Sequence, residues 1–139
     1  MKVFLDTNVL IDFTESRDNA LLTETIINLG KTGMIQNCVS YLSYANINYI
    51  KRSTPRSDRY QLIRRLRQGI TVLPCDSQQL DKALSHKDVR DFEDLLQYQC
   101  AVAASCDIIV TQNTRDYLEF SNIPVMTARD FLLSYFSNH

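Results

Sequence analysis

The chain opens with MKVFLDTNVLIDF (residues 1–13), in which a short apolar run gives way at once to polar residues. Residues 3–5 are all apolar, as in a buried strand, whereas Asp6, Thr7 and Asn8 offer a carboxylate, a hydroxyl and an amide. A strand end of this kind either caps a helix or forms the wall of a polar site. The rest of the chain has to distinguish these two possibilities.

Length and composition indicate one ordinary globular domain. The chain has 139 residues, of which 45% are hydrophobic and 22% charged, so we expect a single domain over residues 1–139. No apolar run approaches the roughly 18 residues that a membrane helix needs. Asp6 interrupts the first apolar run too early for a secretory signal. We therefore predict a cytoplasmic protein without a membrane segment.

Short apolar runs alternate with segments of helical periodicity. The predicted strands are residues 2–5, 37–40, 70–73, 108–111 and 124–127. The predicted helices are residues 21–29, 44–52, a helix capped by Ser57 and ended by Gly69, 77–84, 91–105 and a last helix that begins at Thr127. Strands that alternate with helices predict an α/β fold with a parallel central sheet of about five strands between layers of helices.

Acidic residues follow the strand ends of this predicted sheet. In a parallel sheet, ligands bind beyond the carboxyl ends of the strands, where the strand order reverses. Asp6 follows the first strand directly, and Asn113 and Asp116 follow the fourth. Asp94 lies near the start of the preceding helix, on the side that faces the sheet. We therefore expect three carboxylates to approach one another at one edge of the sheet.

Each acid also has an ordinary structural explanation. Asp6 or Thr7 could cap a helix, Asp116 could lie in a surface turn, and Asp91 and Asp94 have the spacing of a cap and a third helical residue. Three converging carboxylates, however, would raise one another's pKa unless a cation neutralised them. Oxygen ligands without His or Cys suit Mg²⁺ or Mn²⁺, the ions used in phosphodiester chemistry.

Basic residues concentrate in one segment, KRSTPRSDRYQLIRRLR (residues 51–67). It carries seven Lys or Arg residues and one acid, whereas the rest of the chain carries eight basic and fifteen acidic residues. Such a surface can attract a polyanion, although the same residues could form a solvated helix face. The candidate RNA-binding residues are Lys51, Arg52, Arg56, Arg59, Arg64, Arg65 and Arg67.

The four cysteines do not have the spacing of a metal site. Cys38, Cys75, Cys100 and Cys106 are scattered without a C-x-x-C pair, and the chain has only two histidines. We expect reduced cysteines that pack as small core residues rather than a zinc site or a disulfide framework.

Three stretches resemble the PIN domain family, ribonucleases that include the VapC-type toxins of toxin–antitoxin pairs. They are MKVFLDTNVLID (1–12), DFEDLLQYQCAVAASCDIIVTQNTRDY (91–117) and IPVMTARDFL (123–132). The resemblance implies a three-layer α/β/α sandwich and an endoribonuclease that uses Mg²⁺ or Mn²⁺ to cut RNA. It also implies an antitoxin protein as partner and a homodimer.

The resemblance implies roles for individual residues. The catalytic and metal-binding carboxylates would be Asp6, Asp94 and Asp116. Asp6 and Asp94 would bind the metal directly, and Asp116 directly or through water. The supporting polar residues would be Thr7, Asn8, Asn46 and Asn113. Thr7 and Asn8 would orient their neighbours by hydrogen bonds.

One position departs from the family pattern. In VSYLSYANINYI (39–50), Asn46 stands where the family usually has a glutamate. An amide supplies no charge and cannot take a proton from water, so we expect weaker metal binding. Asp12 and Glu93 are the nearest substitutes, but Glu93 should point about 100° away from Asp94 on a helix. The alternative function is therefore a catalytically weakened PIN-like module that binds RNA or protein.

Two other acidic-site proteins of similar architecture fit poorly. A haloacid-dehalogenase-type phosphatase needs Asp-x-Asp after its first strand, where this chain has Asn8 in the second position. A receiver domain needs a lysine after its last strand, and this chain has none beyond Lys87.

Overall fold

The computed structural model describes residues 1–15, 18–86 and 91–138. Within these ranges the chain forms a five-stranded sheet covered by helices. The strands are β1 Lys2–Leu5, β2 Gln36–Ser40, β3 Ile70–Leu73, β4 Ile108–Val110 and β5 Val125–Met126. The helices are α1 Thr7–Thr14, α2 Ala20–Lys31, α3 Tyr41–Ile50, α4 Arg56–Arg67, α5 Ser77–Leu84, α6 Phe92–Ala103, α7 Thr114–Leu118 and α8 Ala128–Ser137.

The strand order reverses next to β1. The sheet has the order β3-β2-β1-β4-β5, and every neighbouring pair is parallel. The chain runs from β1 outward through β2 to β3 and then continues on the other side of β1 with β4 and β5. Asp6 N donates to Val110 O at 3.0 Å, so pairing continues to the ends of β1 and β4. These two ends form the switch point at which α/β sheets bind ligands.

Alternating side chains of the sheet build two cores. Val3 and Leu5 of β1 pack into the core formed with α1–α4 and α8, where Leu66 of α4 is fully buried. Phe4, between them in sequence, packs with α5, α6 and α7 on the opposite face, where Tyr117 is fully buried. This arrangement is the three-layer α/β/α sandwich with a parallel sheet that the sequence predicted.

Most predicted elements are present with shifted ends. The strands at 2–5 and 70–73 and the helix at 77–84 have the predicted bounds. Helix α3 begins at Tyr41 rather than at residue 44, because the Ser40 side chain caps it by accepting from Leu42 N at 3.0 Å. The predicted cap at Ser57 is wrong. Helix α4 begins at Arg56 directly after Pro55, whose restricted φ suits a helix start, so Ser57 lies inside the first turn.

Two short helices were not predicted from the periodicity. Helix α1 has eight residues and α7 has five, which is too short for a repeating apolar pattern to stand out. One residue separates α1 from the end of β1 and three residues separate α7 from the end of β4, so these helices position the polar residues described below.

The cysteine prediction is confirmed. Cys38, Cys100 and Cys106 are buried, Cys75 is half-buried, and all four are free thiols. In the described parts of the chain, every helix is too short or too polar to cross a membrane.

Candidate active site

Asp6 is both a helix cap and a buried site residue. Its Oδ1 accepts from Thr7 N at 2.8 Å at the start of α1, and its Oδ2 accepts from Thr111 Oγ1 at 2.9 Å. The side chain is 5% exposed, and this burial raises the pKa of Asp6 although the bonds from Thr111 and Thr7 lower it. Asp6 is therefore both a helix cap, through Oδ1, and part of the wall of a polar site, through Oδ2.

Thr111 joins the ends of β1 and β4. Besides donating to Asp6, its Oγ1 accepts from Asn8 Nδ2 at 3.3 Å and from Asn113 N at 3.1 Å. Asn8 Oδ1 accepts from Gln112 N at 3.2 Å. Asn8 thus contacts the loop after β4 with both ends of its amide. Asn113 contributes its backbone, whereas its side chain is exposed.

A second buried network lies behind Asp6. Thr7 Oγ1 and Ser43 Oγ are 2.7 Å apart, and Gln97 Nε2 donates to Thr7 Oγ1 at 3.2 Å and to Ser43 Oγ at 3.0 Å. All three side chains are at most 6% exposed. The network connects α1, α3 and α6, so the helix that carries Asp94 is held in register with Asp6. The sequence analysis missed Ser43 and Gln97, although Gln97 lies three residues after Asp94 on the buried side of α6.

Asp94 lies among other carboxylates at the start of α6. Asp91 caps this helix by accepting from Asp94 N at 3.0 Å, as the spacing predicted. Burial raises the pKa of Asp94 to about 7, and the charges of Asp6, Asp91, Asp116 and Glu93 contribute in that order. Acids from β1, α6 and α7 therefore act on one half-buried carboxyl group. Asp116 itself is exposed, beside a cavity of about 280 Å³ over the loop after β4.

Glu93 contacts the residue that departs from the family pattern. Its Oε1 accepts from Asn46 Nδ2 of α3 at 2.7 Å. Burial raises the pKa of Glu93, and the charges of Asp91 and Asp6 add to the shift. The other proposed substitute, Asp12, is buried and accepts from Gln112 Nε2 at 3.0 Å. Of the two substitutes, Glu93 is the one whose charge acts on Asp94.

Tyr117 brings a hydroxyl group to the same place. The residue is fully buried on α7, and its Oη makes no hydrogen bond of normal geometry within the described part of the chain. It lies close enough to the acids that their charges affect it, since burial, Asp6 and Asp94 all raise the pKa of Tyr117. Its contact with the Asp6 carboxyl group is poorly aligned, so a water molecule or the hydration shell of an ion would give this buried hydroxyl a better hydrogen bond.

The donor set fits a hard divalent cation that keeps part of its water shell. In residues 1–15, 18–86 and 91–138, no three Asp, Glu, His or Cys side chains converge tightly enough to form a preformed metal cage. Mg²⁺ is usually held by one or two carboxylates and several waters rather than by a complete protein cage. Asp6 and Asp94 meet this requirement, and the orphaned Tyr117 hydroxyl suits a nearby water.

The basic segment has two parts. Lys51 Nζ binds Glu15 Oε1 at 3.1 Å, the Arg59 guanidinium donates to the backbone carbonyls of residues 52 and 54, and Arg52 lies 4.3 Å from the centre of the Tyr49 ring. These three basic residues therefore make contacts within the chain, and Arg56 and Arg65 also lie over the rings of Tyr60 and Phe13. The exposed basic residues on α4 are Arg56, Arg64, Arg65 and Arg67. Helix α4 belongs to the layer opposite α6, so the basic surface and Asp94 lie on different layers.

Known proteins resemble this chain over most of its length. Ribonuclease VapC1 of Aquifex aeolicus (strain VF5) is 24% identical over 135 residues, which cover 94% of this chain and 92% of that protein. VapBC2 from Rickettsia felis, solved bound to a DNA fragment from its promoter, has a TM-score of 0.70 at 14% identity and covers 90% of this chain and 97% of its own. DNA-bound VapBC from Salmonella typhimurium also has a TM-score of 0.70, at 17% identity, and covers 92% and 98%.

The PIN domain family matches residues 2–115. The matched range includes Asp6 and Asp94 and ends one residue before Asp116. With its parallel sheet and the acids at the switch point, the chain belongs to the PIN domain family.

Proposed function

We propose that this protein is a divalent-metal-dependent endoribonuclease that hydrolyses RNA phosphodiester bonds and acts as the toxin of a toxin–antitoxin pair. The observation that carries the proposal is the group of carboxylates around the half-buried Asp94 at the switch point of the sheet, where burial first and these charges second raise the pKa of Asp94 to about 7. The similarity to Ribonuclease VapC1 and to VapBC structures supports the same function.

In this proposal Asp6 and Asp94 hold Mg²⁺ or Mn²⁺, and Asp116 contributes directly or through water. When bound, such an ion lowers the pKa of water and stabilises negative charge on the phosphate group. Thr111 holds one oxygen of Asp6, and the Thr7 network holds α6 in place. Attack by water predicts products with 5′-phosphate and 3′-hydroxyl ends. Ends with a 2′,3′-cyclic phosphate would instead indicate attack by the RNA's own 2′-hydroxyl group.

Cleavage of a panel of single-stranded and structured RNAs tests this function. We expect cutting in Mg²⁺ or Mn²⁺ by protein freed of any co-purified partner, and we expect EDTA to stop it. Asp94→Asn should reduce the rate by at least about 100-fold, because it removes a carboxylate from the site. Asp130→Asn, which changes an exposed acid in the first turn of α8, is the matched control and should retain activity. Equal cleavage by wild type and Asp94→Asn would contradict the proposal.

A PIN-like module that binds RNA or protein without cutting is the alternative, and Asn46 favours it because an amide occupies a place where a carboxylate was expected. The two functions differ in one measurement. Retention of RNA by folded protein, with no cleavage even at millimolar Mn²⁺, would favour the binding module.

The proposed partners follow from the same function. We propose an RNA substrate, an antitoxin protein that covers the acidic site, and a homodimer that acts in the cytoplasm. The exposed apolar side chains of Leu21, Leu133 and Phe136 on α2 and α8 are available for self-association. Light scattering coupled to size-exclusion chromatography should give twice the monomer mass of 16.1 kDa. A mass of one chain at micromolar concentration would rule out the homodimer.

A further inference from the structure

Asn46 and Glu93 form a contact between two helices beside the acidic site. Asn46 lies in the second turn of α3 and Glu93 is the second residue of α6, and Asn46 Nδ2 donates to Glu93 Oε1 at 2.7 Å. This distance is at the short end of the range for an N–H···O bond, as expected when the acceptor is charged. The amide therefore fixes the direction of a carboxylate that would otherwise be free to rotate, since Glu93 lies at an exposed helix start.

The charge of Glu93 belongs to the acidic site. Glu93 directly precedes Asp94 on α6, and its Oε1 is held by Asn46, one turn after Ser43 in the network behind Asp6. The bond from Asn46 uses one of its two oxygens, and within residues 1–15, 18–86 and 91–138 the second has no hydrogen-bond donor and can face a ligand from solvent. Capping of α6 does not explain the role of Glu93, because Asp91 already caps this helix.

Tyr117 is independent evidence that this cluster faces a ligand. Its hydroxyl is fully buried and its contact with the Asp6 carboxyl group is poorly aligned, so it has no hydrogen bond of normal geometry among the described residues. If the acids formed no ligand site, the protein itself would be expected to provide a well-aligned partner for this buried hydroxyl. A polar ligand among the carboxylates would satisfy both the hydroxyl and the negative charge.

We infer that Glu93 is the fourth carboxylate of the cation site and that Asn46 is its positioning residue, so that an amide on α3 and a carboxylate on α6 together replace a carboxylate on α3. The inference rests on the proposed function, because it adds a ligand, direct or through water, to the site formed by Asp6 and Asp94. Asn46 then strengthens the site through Glu93 rather than weakening it.

Binding of Mn²⁺ to the metal-free full-length protein tests the inference without any activity measurement. Titration calorimetry and the electron paramagnetic resonance signal of free Mn²⁺ both report the dissociation constant. We expect Glu93→Gln to weaken Mn²⁺ binding by roughly tenfold or more, as for other groups that tune a metal site. Asn46→Ala should weaken it less, because the carboxylate is retained but is no longer held. Glu24→Gln, an exposed acid on α2, should leave the constant unchanged.

An exchange of the two side chains tests whether one carboxylate at this contact, on either helix, is enough for the site. The double variant Asn46→Glu with Glu93→Gln keeps one amide and one carboxylate in contact but reverses which helix carries the charge. We expect it to recover Mn²⁺ affinity to within about threefold of wild type, a result that loss of a structural contact alone would not give. Circular dichroism and urea unfolding confirm that each variant is folded.

Three results would overturn the inference. If Glu93→Gln binds Mn²⁺ as wild type does while Asp94→Asn does not, the cation site exists without Glu93. If folded Asn46→Ala binds Mn²⁺ as tightly as wild type does, Asn46 does not act through Glu93. If folded wild-type protein binds no Mn²⁺ at all, the metal-dependent function fails together with the inference.

Discussion

Asp6 shows how one side chain can serve the fold and the site together. One oxygen accepts from the first turn of α1, and the other accepts from Thr111 across the end of β4. Capping a helix is worth about 1 kcal/mol, which offsets part of the cost of keeping a carboxylate buried. The residue therefore stays ordered at the position where a cation would need it.

Asp94 makes stability depend on pH in the metal-free protein. Its pKa is about 7 when folded against an ordinary value of 3.8, so between these values the folded state binds more protons than the unfolded state. Stability should therefore fall as the pH rises from about 4 to 7 and stay lower above that. Urea unfolding midpoints in EDTA at pH 5, 6.5 and 8 should decrease in that order.

The variant Asp94→Asn is the control for this pH dependence. It cannot ionise at position 94, so it should be more stable than wild type at pH 8, with a difference that shrinks toward pH 5. Solvent screening limits the size of the effect because Asp94 is only half-buried. Identical pH profiles for the two proteins would contradict the assignment of this dependence to Asp94.

Helices bring the site residues together because each begins at a strand end or is held by a buried contact. Asp6 caps α1 and Asp91 caps α6, while Gln97 fixes α6 against α1 and α3. A buried hydrogen bond also fixes α2 against the sheet. Asn37 of β2 is fully buried, and its Nδ2 donates to Ile26 O at 2.9 Å.

Gly30 of α2 is where this packing is tightest. A Cβ atom added there would overlap Asn37 Nδ2, so Asn37 would have to move and its buried hydrogen bond would be lost. Gly30→Ala should therefore lower the free energy of unfolding by about 1–3 kcal/mol, although alanine is normally the better helix residue. Urea unfolding measures this, with exposed Asn28→Ala on the same helix as the control. A Gly30→Ala protein as stable as wild type would show that α2 can shift freely.

In the whole molecule, Asp94 and the exposed arginines of α4 lie on different layers. Asp94 is on α6, whereas α4, with Arg56 and Arg64, packs on the other face of the sheet. A bound RNA would therefore run from α4 around the end of the sheet to reach the site. In that arrangement α4 would bind the RNA phosphate backbone, and the acids at the strand ends would carry out cleavage.

Arg56→Gln with Arg64→Gln tests this separation. The double variant should bind single-stranded RNA more weakly, and the slope of log affinity against log salt should fall by roughly 1.4, since each phosphate contact contributes about 0.7. Fluorescence anisotropy in EDTA over a range of salt concentrations measures both quantities without cleavage. Exposed Lys31→Gln with Lys82→Gln changes the net charge equally and should leave the slope unchanged. Equal slopes for wild type and the arginine variant would exclude α4 as the RNA surface.

The sheet, its layers and the polar strand ends could be read from the sequence because these signals are local. Apolar runs, caps such as Thr127 and acids directly after strands depend on residues a few positions apart, and the α/β/α sandwich follows from their alternation. The bounds of α1 and α7 could not be read, since a helix of five to eight residues shows little periodicity.

The contacts that define the site depend on packing and could not be read from the sequence. Thr111 bonds Asp6 across 105 residues, and Asn46 bonds Glu93 across 47. The direction of Glu93 depends on how α6 is rotated against the sheet and how close α3 lies, and both are set by buried side chains such as Gln97. Local spacing gave the angle between neighbours on one helix, but it carries no information about what another helix places opposite them.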